Sequence, residues 1–131
     1  MLYSIKKKII RYRKRLKETR DNAQLKQLSI EQMKVFKMIK ELAVKHNSEI
    51  VFDPQSDEII FNLPKMLVTM KSDTVHIHNT NGFISMNLPA GVYQILVEII
   101  YKEGHKERRR LKNEAKKRIN SFLDEIIKLN E

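Results

Sequence analysis

The sequence contains no cysteine, no tryptophan and three glycines among its 131 residues. Without cysteine, the chain has no disulfide bonds, thiolate metal ligands or cysteine nucleophiles. The glycines lie far apart, at positions 82, 91 and 104, so no glycine-rich loop is available to hold a phosphate. No apolar run approaches the roughly 18 residues that a membrane-spanning helix needs. The sequence therefore predicts neither a nucleotide loop nor a membrane span.

Acidic residues are scarce at the start of the chain. Residues 1–20 contain nine Lys or Arg and one acid, a net charge of +8, whereas residues 21–101 carry −2 and residues 102–131 carry +4. Clustered charge attracts a polyanion, whereas dispersed charge mainly aids solubility. The asymmetry therefore favours contact with a polyanion at one or both ends of the chain.

The first twenty residues predict an amphipathic helix with a narrow apolar stripe, formed by Leu2, Ile5, Ile9, Tyr12 and Leu16. Such a narrow stripe suits packing against one partner helix, or against a copy of itself. The remaining surface of the predicted helix is basic. Its one acid, Glu18, cannot offset the mutual repulsion of the Lys and Arg charges. We expect phosphate contact by eight cations of this helix, which are Lys6, Lys7, Lys8, Arg11, Arg13, Lys14, Arg15 and Lys17.

A second helix and a sheet are predicted to follow. Ser29 and Gln32 form a capping box ahead of an amphipathic helix that ends at about His46. Over residues 49–88 the apolar period changes to two, which is typical of strands. Asn81-Gly82 predicts a type I′ hairpin in which His78 pairs with Ser85. The residues predicted to share its polar face, and so to be available to bases, are His76, His78, Phe83, Ser85 and Asn87.

Residues 92–102 fit either a strand or a helix, because Tyr93, Ile95 and Val97 alternate while Gln94, Glu98 and Lys102 recur every four residues. A proline ahead of the segment and a glycine behind it favour the helix. A last helix is predicted over residues 105–129. Its first half carries two basic clusters predicted to contact phosphate, which are Arg108, Arg109, Arg110 and Lys116, Lys117, Arg118.

Together these elements predict one α+β domain over residues 1–131. Its centre is a four- or five-stranded, mainly antiparallel sheet at about 49–88. Two N-terminal helices, within the basic region 1–46, and two C-terminal helices, within 90–130, flank that sheet.

No enzymatic site is expected. His76 and His78 lie two residues apart on a predicted strand and could form a metal site or an acid–base pair. No third ligand has a recognisable spacing, and such pairs are more often plain surface residues. The sequence therefore predicts a protein without a catalytic site, metal or cofactor.

Residues 82–123 contain a short alternating strand that ends at Leu88-Pro89, an apolar helix, Gly104 and a second helix. This order resembles the strand–helix–helix of the ribbon-helix-helix DNA-binding repressors. The apolar positions that carry the resemblance are Val92, Tyr93, Ile95, Leu96, Ile99, Ile100, Leu111, Ala115 and Ile119.

The resemblance implies a mode of DNA binding. Phe83, Ser85 and Asn87 would face the major groove, as the strand residues of that family do. Backbone amides near Glu107 and Arg108, at the start of the second helix, would hold a phosphate.

The function that the sequence favours is non-enzymatic binding of DNA or RNA, mainly through phosphates. The alternative is a structural or assembly module, for example of a virus or mobile element, whose N-terminal stripe docks on a partner or a copy. Lys and Arg interrupt any signal-peptide apolar region at the start. We therefore expect a cytoplasmic protein, or one assembled into a particle in the cytoplasm.

Overall fold

In the computed structural model of the protein, the described residues are 25–104 and 109–131, with Arg109 described by its backbone. This part of the chain forms three helices and six strands. In chain order they are α1 (Ile30–His46), β1 (Glu49–Asp53), β2 (Glu58–Leu63), β3 (Met66–Lys71), β4 (Thr74–Asn79), β5 (Gly82–Asn87), α2 (Val92–Lys102), β6 (Arg109–Arg110) and α3 (Asn113–Leu129).

Helix α1 begins and ends as its sequence predicts. The Ser29 hydroxyl accepts from the Gln32 N–H at 3.1 Å, and the Gln32 side chain accepts from the Ser29 N–H at 2.9 Å. These reciprocal bonds are the predicted capping box. At the other end Asn47 adopts the left-handed conformation with φ 45°. Asparagine tolerates this conformation and ends the helix.

The six strands form one sheet in the order β5-β4-β3-β2-β1-β6, and every neighbouring pair is antiparallel. Alternate side chains point to opposite faces, so each strand has a buried row and a more exposed row. On the inner face the buried row includes Phe52, Phe61 and Met70, each at most 1% exposed. These side chains pack with buried residues of α1, α2 and α3 in one core. The three helices therefore cover the inner face.

The β4–β5 hairpin has the predicted faces but not the predicted register. His78 pairs with Phe83 and not with Ser85, a shift of two residues. The turn is closed one residue earlier, because the Asn79 side chain accepts from the Asn81 N–H at 2.9 Å. Gly82 takes its positive φ of 137° after the turn and not at its centre. A shift of two residues preserves the sorting of side chains between faces.

The segment after β5 is helical, as the sequence favours. Helix α2 buries Ile95, Leu96 and Ile100 completely. Gly104 follows with φ 87°, a conformation in which glycine has no steric cost.

The last predicted helix starts later than expected. Arg109–Arg110 form strand β6 beside β1, and the Leu111 N–H donates to the Ile50 carbonyl at 2.8 Å. Pairing with a sheet edge thus replaces the predicted helical turns. Helix α3 starts at Asn113, so the prediction that the last helix includes Arg109 and Arg110 was wrong. Arg108 lies outside the described residues.

An α+β fold with an antiparallel sheet is thus confirmed, with five strands in residues 49–88 and the short β6 added beside them. One of the two predicted N-terminal helices is α1, and the other falls outside the described residues. Within 25–104 and 109–131, no helix has the length and apolarity needed to cross a membrane.

Candidate nucleic-acid interface

The cations predicted to contact phosphate fall into two parts. The first part lies outside the described residues, and the second lies on strand β6 and helix α3. All eight phosphate-contacting cations predicted in the first twenty residues, and Arg108, belong to the first part and remain predictions. In the second part the structure describes the side chains of Arg110, Lys116, Lys117 and Arg118, and the backbone alone of Arg109.

Two of these arginines already have an acid beside them. The Arg110 Nε lies 3.2 Å from the Glu49 Oε1 on the neighbouring strand. The Arg118 Nε lies 2.5 Å from the Glu103 Oε1 at the end of α2. Both guanidinium groups are half or more exposed, and pairs of that kind are weak. Each arginine therefore contributes less uncompensated charge than the sequence implies.

Lys116 and Lys117 lie beside an open groove of about 550 Å³ between the end of α1 and the start of α3. The groove is lined by Ala43, Val44, Asn47, Asn113, Lys116, Lys117, Asn120 and Ser121, none of which is acidic. The Lys117 Nζ lies 3.7 Å from the Oε1 of Glu114, which is one helical turn earlier, and both side chains are exposed. The groove therefore combines two ammonium groups with amide and hydroxyl groups.

The backbone adds to this positive potential. The N-cap of α3 is Lys112, whose side chain makes no capping hydrogen bond to the helix. The first N–H groups of a helix carry partial positive charge and bind anions readily. Asn120, about two helical turns into α3, has a buried side-chain oxygen without a hydrogen-bond partner among the described residues. The donors at this end of α3 are therefore the first backbone N–H groups and the lysine ammonium groups, whereas the Asn120 oxygen is an acceptor.

A second groove on the same helical layer has the opposite character. It is about 590 Å³ in volume, lies between α1 and the end of α3, and contains Glu41, Asp124 and Glu131 beside its lysines. Asp124 bonds to Lys40 and, at 3.2 Å, to Lys128. The hydrogen bonds from these lysines lower the pKa of Asp124. In this groove acids therefore lie among the lysines, and Asp124 pairs with two of them.

The outer sheet face carries an exposed aromatic cluster. The ring of Phe83 stacks on that of His76 with centroids 5.4 Å apart, and lies 4.6 Å from that of His78. Ser85 Oγ is 3.1 Å from His76 Nδ1. Phe83 is 55% exposed. The predicted base-facing residues therefore share one face, on which Asn87 occupies the end of β5 beside Thr74.

Comparison of the chain with protein-family models, curated proteins and solved structures found no match. The ribbon-helix-helix resemblance of residues 82–123 therefore stays a prediction.

Sequence reasoning missed the polar residues of the first groove. The missed residues of α3 are Asn113, Asn120 and Ser121. Their spacing places them on one helical face with the predicted Lys116, so the sequence could have shown this part of the groove. Asn47 joins them through tertiary packing, which no local pattern shows. In the parts of the chain that the structure describes, no three His, Asp or Glu side chains are arranged to hold a metal ion.

Proposed function

We propose that the protein binds nucleic acid without catalysis, mainly through phosphate contacts. The observation that carries this proposal is the groove at the start of α3, whose lining has no acidic residue and in which Lys116 and Lys117 lie near the N-terminus of the helix. The cations of residues 1–20 supply a second, larger source of positive charge. Neutralising phosphates with such groups releases counterions and provides the binding free energy.

The outer sheet face supports contact with bases. Exposed aromatic rings stack on bases in single-stranded nucleic acid at about 1–3 kcal/mol per base. Phe83 offers such a ring, held by His76 and His78. Ion pairs between Lys71 and Glu58 and between Arg110 and Glu49 leave this face with little net positive charge. The sheet would therefore add strand preference, and the basic groups would supply most of the affinity.

The test is fluorescence anisotropy with labelled single- and double-stranded DNA and RNA, at about 50 and about 200 mM salt. We expect affinity to fall by orders of magnitude between the two salt concentrations. Lys116→Glu with Lys117→Glu should weaken binding and reduce the salt slope. The matched control, Lys34→Glu with Lys37→Glu, makes the same charge change on α1 and should weaken binding less.

The same titration separates the alternative of an assembly module. Removing residues 1–20, or replacing their cations with Glu, should abolish nucleic-acid binding. Ile5→Ala with Ile9→Ala should leave it nearly unchanged. Weak binding at low salt, together with loss of self-association in the Ile5 and Ile9 variant, would refute nucleic-acid binding and support assembly.

A further inference from the structure

The outer face of the sheet carries more acid than base at neutral pH. Among the described strands, the charged residues that share this face are Glu49, Asp53, Glu58, Lys71 and Arg110. Three negative and two positive charges give it a net charge of −1 while its histidines are neutral. Lys71 lies 3.0 Å from Glu58, and Arg110 lies 3.2 Å from Glu49. At neutral pH these strands therefore offer no excess of cations to hold a phosphate.

His76 and His78 are the groups that can reverse this charge. Both lie on β4, and the strand residues that face them on β3 and β5 are uncharged, namely Leu67, Thr69, Phe83 and Ser85. The one charged residue of β3 is Lys71, which is paired, and β5 has none. Histidine is the side chain whose charge changes between pH 8 and pH 5. Protonation of both rings would change the net charge of this face from −1 to +1.

The two imidazoles lie against the ring that is available to a base. The Phe83 ring is 5.4 Å from that of His76, with an angle of 16° between the ring planes, and 4.6 Å from that of His78. Its side chain is 55% exposed. A base stacked on Phe83 would therefore bring the phosphate of the same nucleotide close to two groups that can become cations.

Ser85 orients one of these groups. Its hydroxyl lies 3.1 Å from the His76 Nδ1 and can accept a hydrogen bond when that nitrogen is protonated. In the charged imidazole both nitrogens are donors. The Ser85 contact uses Nδ1, so the Nε2–H of His76 is the donor left for a ligand.

We propose that His76 and His78, when protonated, bind the phosphate of a nucleotide whose base stacks on Phe83, so that this face binds single-stranded nucleic acid more tightly as the pH falls. The inference rests on the proposed function, and it adds to the groove at the start of α3 a second phosphate site that is filled only in acid. Bases in a duplex are already stacked on one another, so the site should favour single strands.

Fluorescence anisotropy tests this with full-length protein and labelled single-stranded DNA and RNA, at about 50 mM salt and from about pH 8 to about pH 5.5. We expect affinity to rise about tenfold over this range, since an exposed ion pair strengthens an equilibrium by up to about fivefold. His76→Gln with His78→Gln keeps both side chains polar but unable to gain charge. This double variant should match the unmodified protein at about pH 8 and lose most of the increase.

The salt dependence shows whether the new contact is to phosphate. Each added phosphate contact makes the fall of affinity with salt steeper. The unmodified protein should therefore have a steeper salt slope at about pH 5.5 than the double variant, and similar slopes should be found at about pH 8. A duplex of the same sequence should show a smaller increase in affinity. Equal increases for the duplex and the single strand would overturn stacking on Phe83 as the basis of the site.

His46→Gln is the matched control, because it removes an exposed histidine at the end of α1, next to Asn47 of the groove. It should leave the increase intact. An increase that persists in full in the double variant, or that His46→Gln alone removes, would overturn the proposal. Binding that does not change with pH would also overturn it but leave the proposed function standing, whereas no binding at any pH would overturn both. Circular dichroism should show that all variants are folded.

Discussion

The two faces of the sheet are formed by the same strands, yet they are held by different interactions. On the inner face the buried side chains of β1 and β2 are at most 4% exposed and touch the helices. On the outer face the side chains are half-buried or exposed, and they contact one another through ring stacking and ion pairs. Fold stability should therefore depend on the inner face, and the proposed nucleic-acid binding on the outer face and the basic groove.

The largest expected difference comes from the same substitution on each face. Phe61→Ala, at a completely buried inner position, should lower the free energy of unfolding by about 3–5 kcal/mol. Phe83→Ala, at a 55% exposed outer position, should cost about 1 kcal/mol or less. Urea unfolding monitored by circular dichroism measures both. A loss at Phe83 as large as that at Phe61 would show that something covers the outer face.

A smaller difference in the free energy of unfolding should follow from removing a polar side chain from the helical layer and one from the outer face of the sheet. The Asn130 side chain accepts from the Leu28 N–H at 3.1 Å and donates to the Leu25 and Ile126 carbonyls. It thus fastens the chain ahead of α1 to the end of α3. Asn130→Ala leaves these partly buried groups without a partner and should cost about 1–3 kcal/mol.

Ser85→Ala is the matched control on the outer face, because it removes a single exposed hydrogen bond to His76. Its cost should be within about 0.5 kcal/mol, as for most surface substitutions. The same unfolding measurement applies. If Asn130→Ala and Ser85→Ala lowered the free energy of unfolding by similar amounts, stability would not depend mainly on the inner face and the helices that cover it.

What the sequence could predict follows from the range of the interactions involved. Ser29 and Gln32 cap α1 through neighbours three residues away, so their motif was sufficient. The hairpin faces were also readable, since alternation alone sorts side chains. The register of the hairpin could not be predicted, because the Asn79 side chain closes the turn one residue earlier than an Asn-Gly turn would.

The start of the last helix shows the same limit, whereas its end at Leu129 agrees with the prediction. Residues 105–112 have helical composition, yet Arg110 pairs with Val51, which is 59 positions earlier in the sequence. A strand partner so distant cannot be read from local periodicity. The acid-free groove depends likewise on contact between α1 and α3, although the face of α3 that lines it follows a helical spacing.

The smallest expected effect concerns ion pairs. Asp124 pairs with Lys40 and Lys128 between the helices, and Glu58 pairs with Lys71 on the outer face of the sheet. Hydrogen bonds from Lys40 and Lys128 hold the pKa of Asp124 below its ordinary value. The unfolded chain therefore binds a proton more readily than the folded one. The resulting stability is present above about pH 4 and is lost as pH falls through the lower, folded pKa. Because Asp124 is solvent-accessible, the effect should be modest.

Unfolding measured from neutral pH down to acid should show this contribution as part of the acid limb. Asp124→Asn removes the titrating group, so its stability should depend less steeply on pH below about pH 4 than that of the unmodified protein. Glu58→Gln, which breaks the outer-face pair with Lys71, is the matched control. If Glu58→Gln flattened the acid limb as much as Asp124→Asn does, the outer face would carry as much electrostatic stability as the helical side. The division of roles between the two faces would then not extend to their charges.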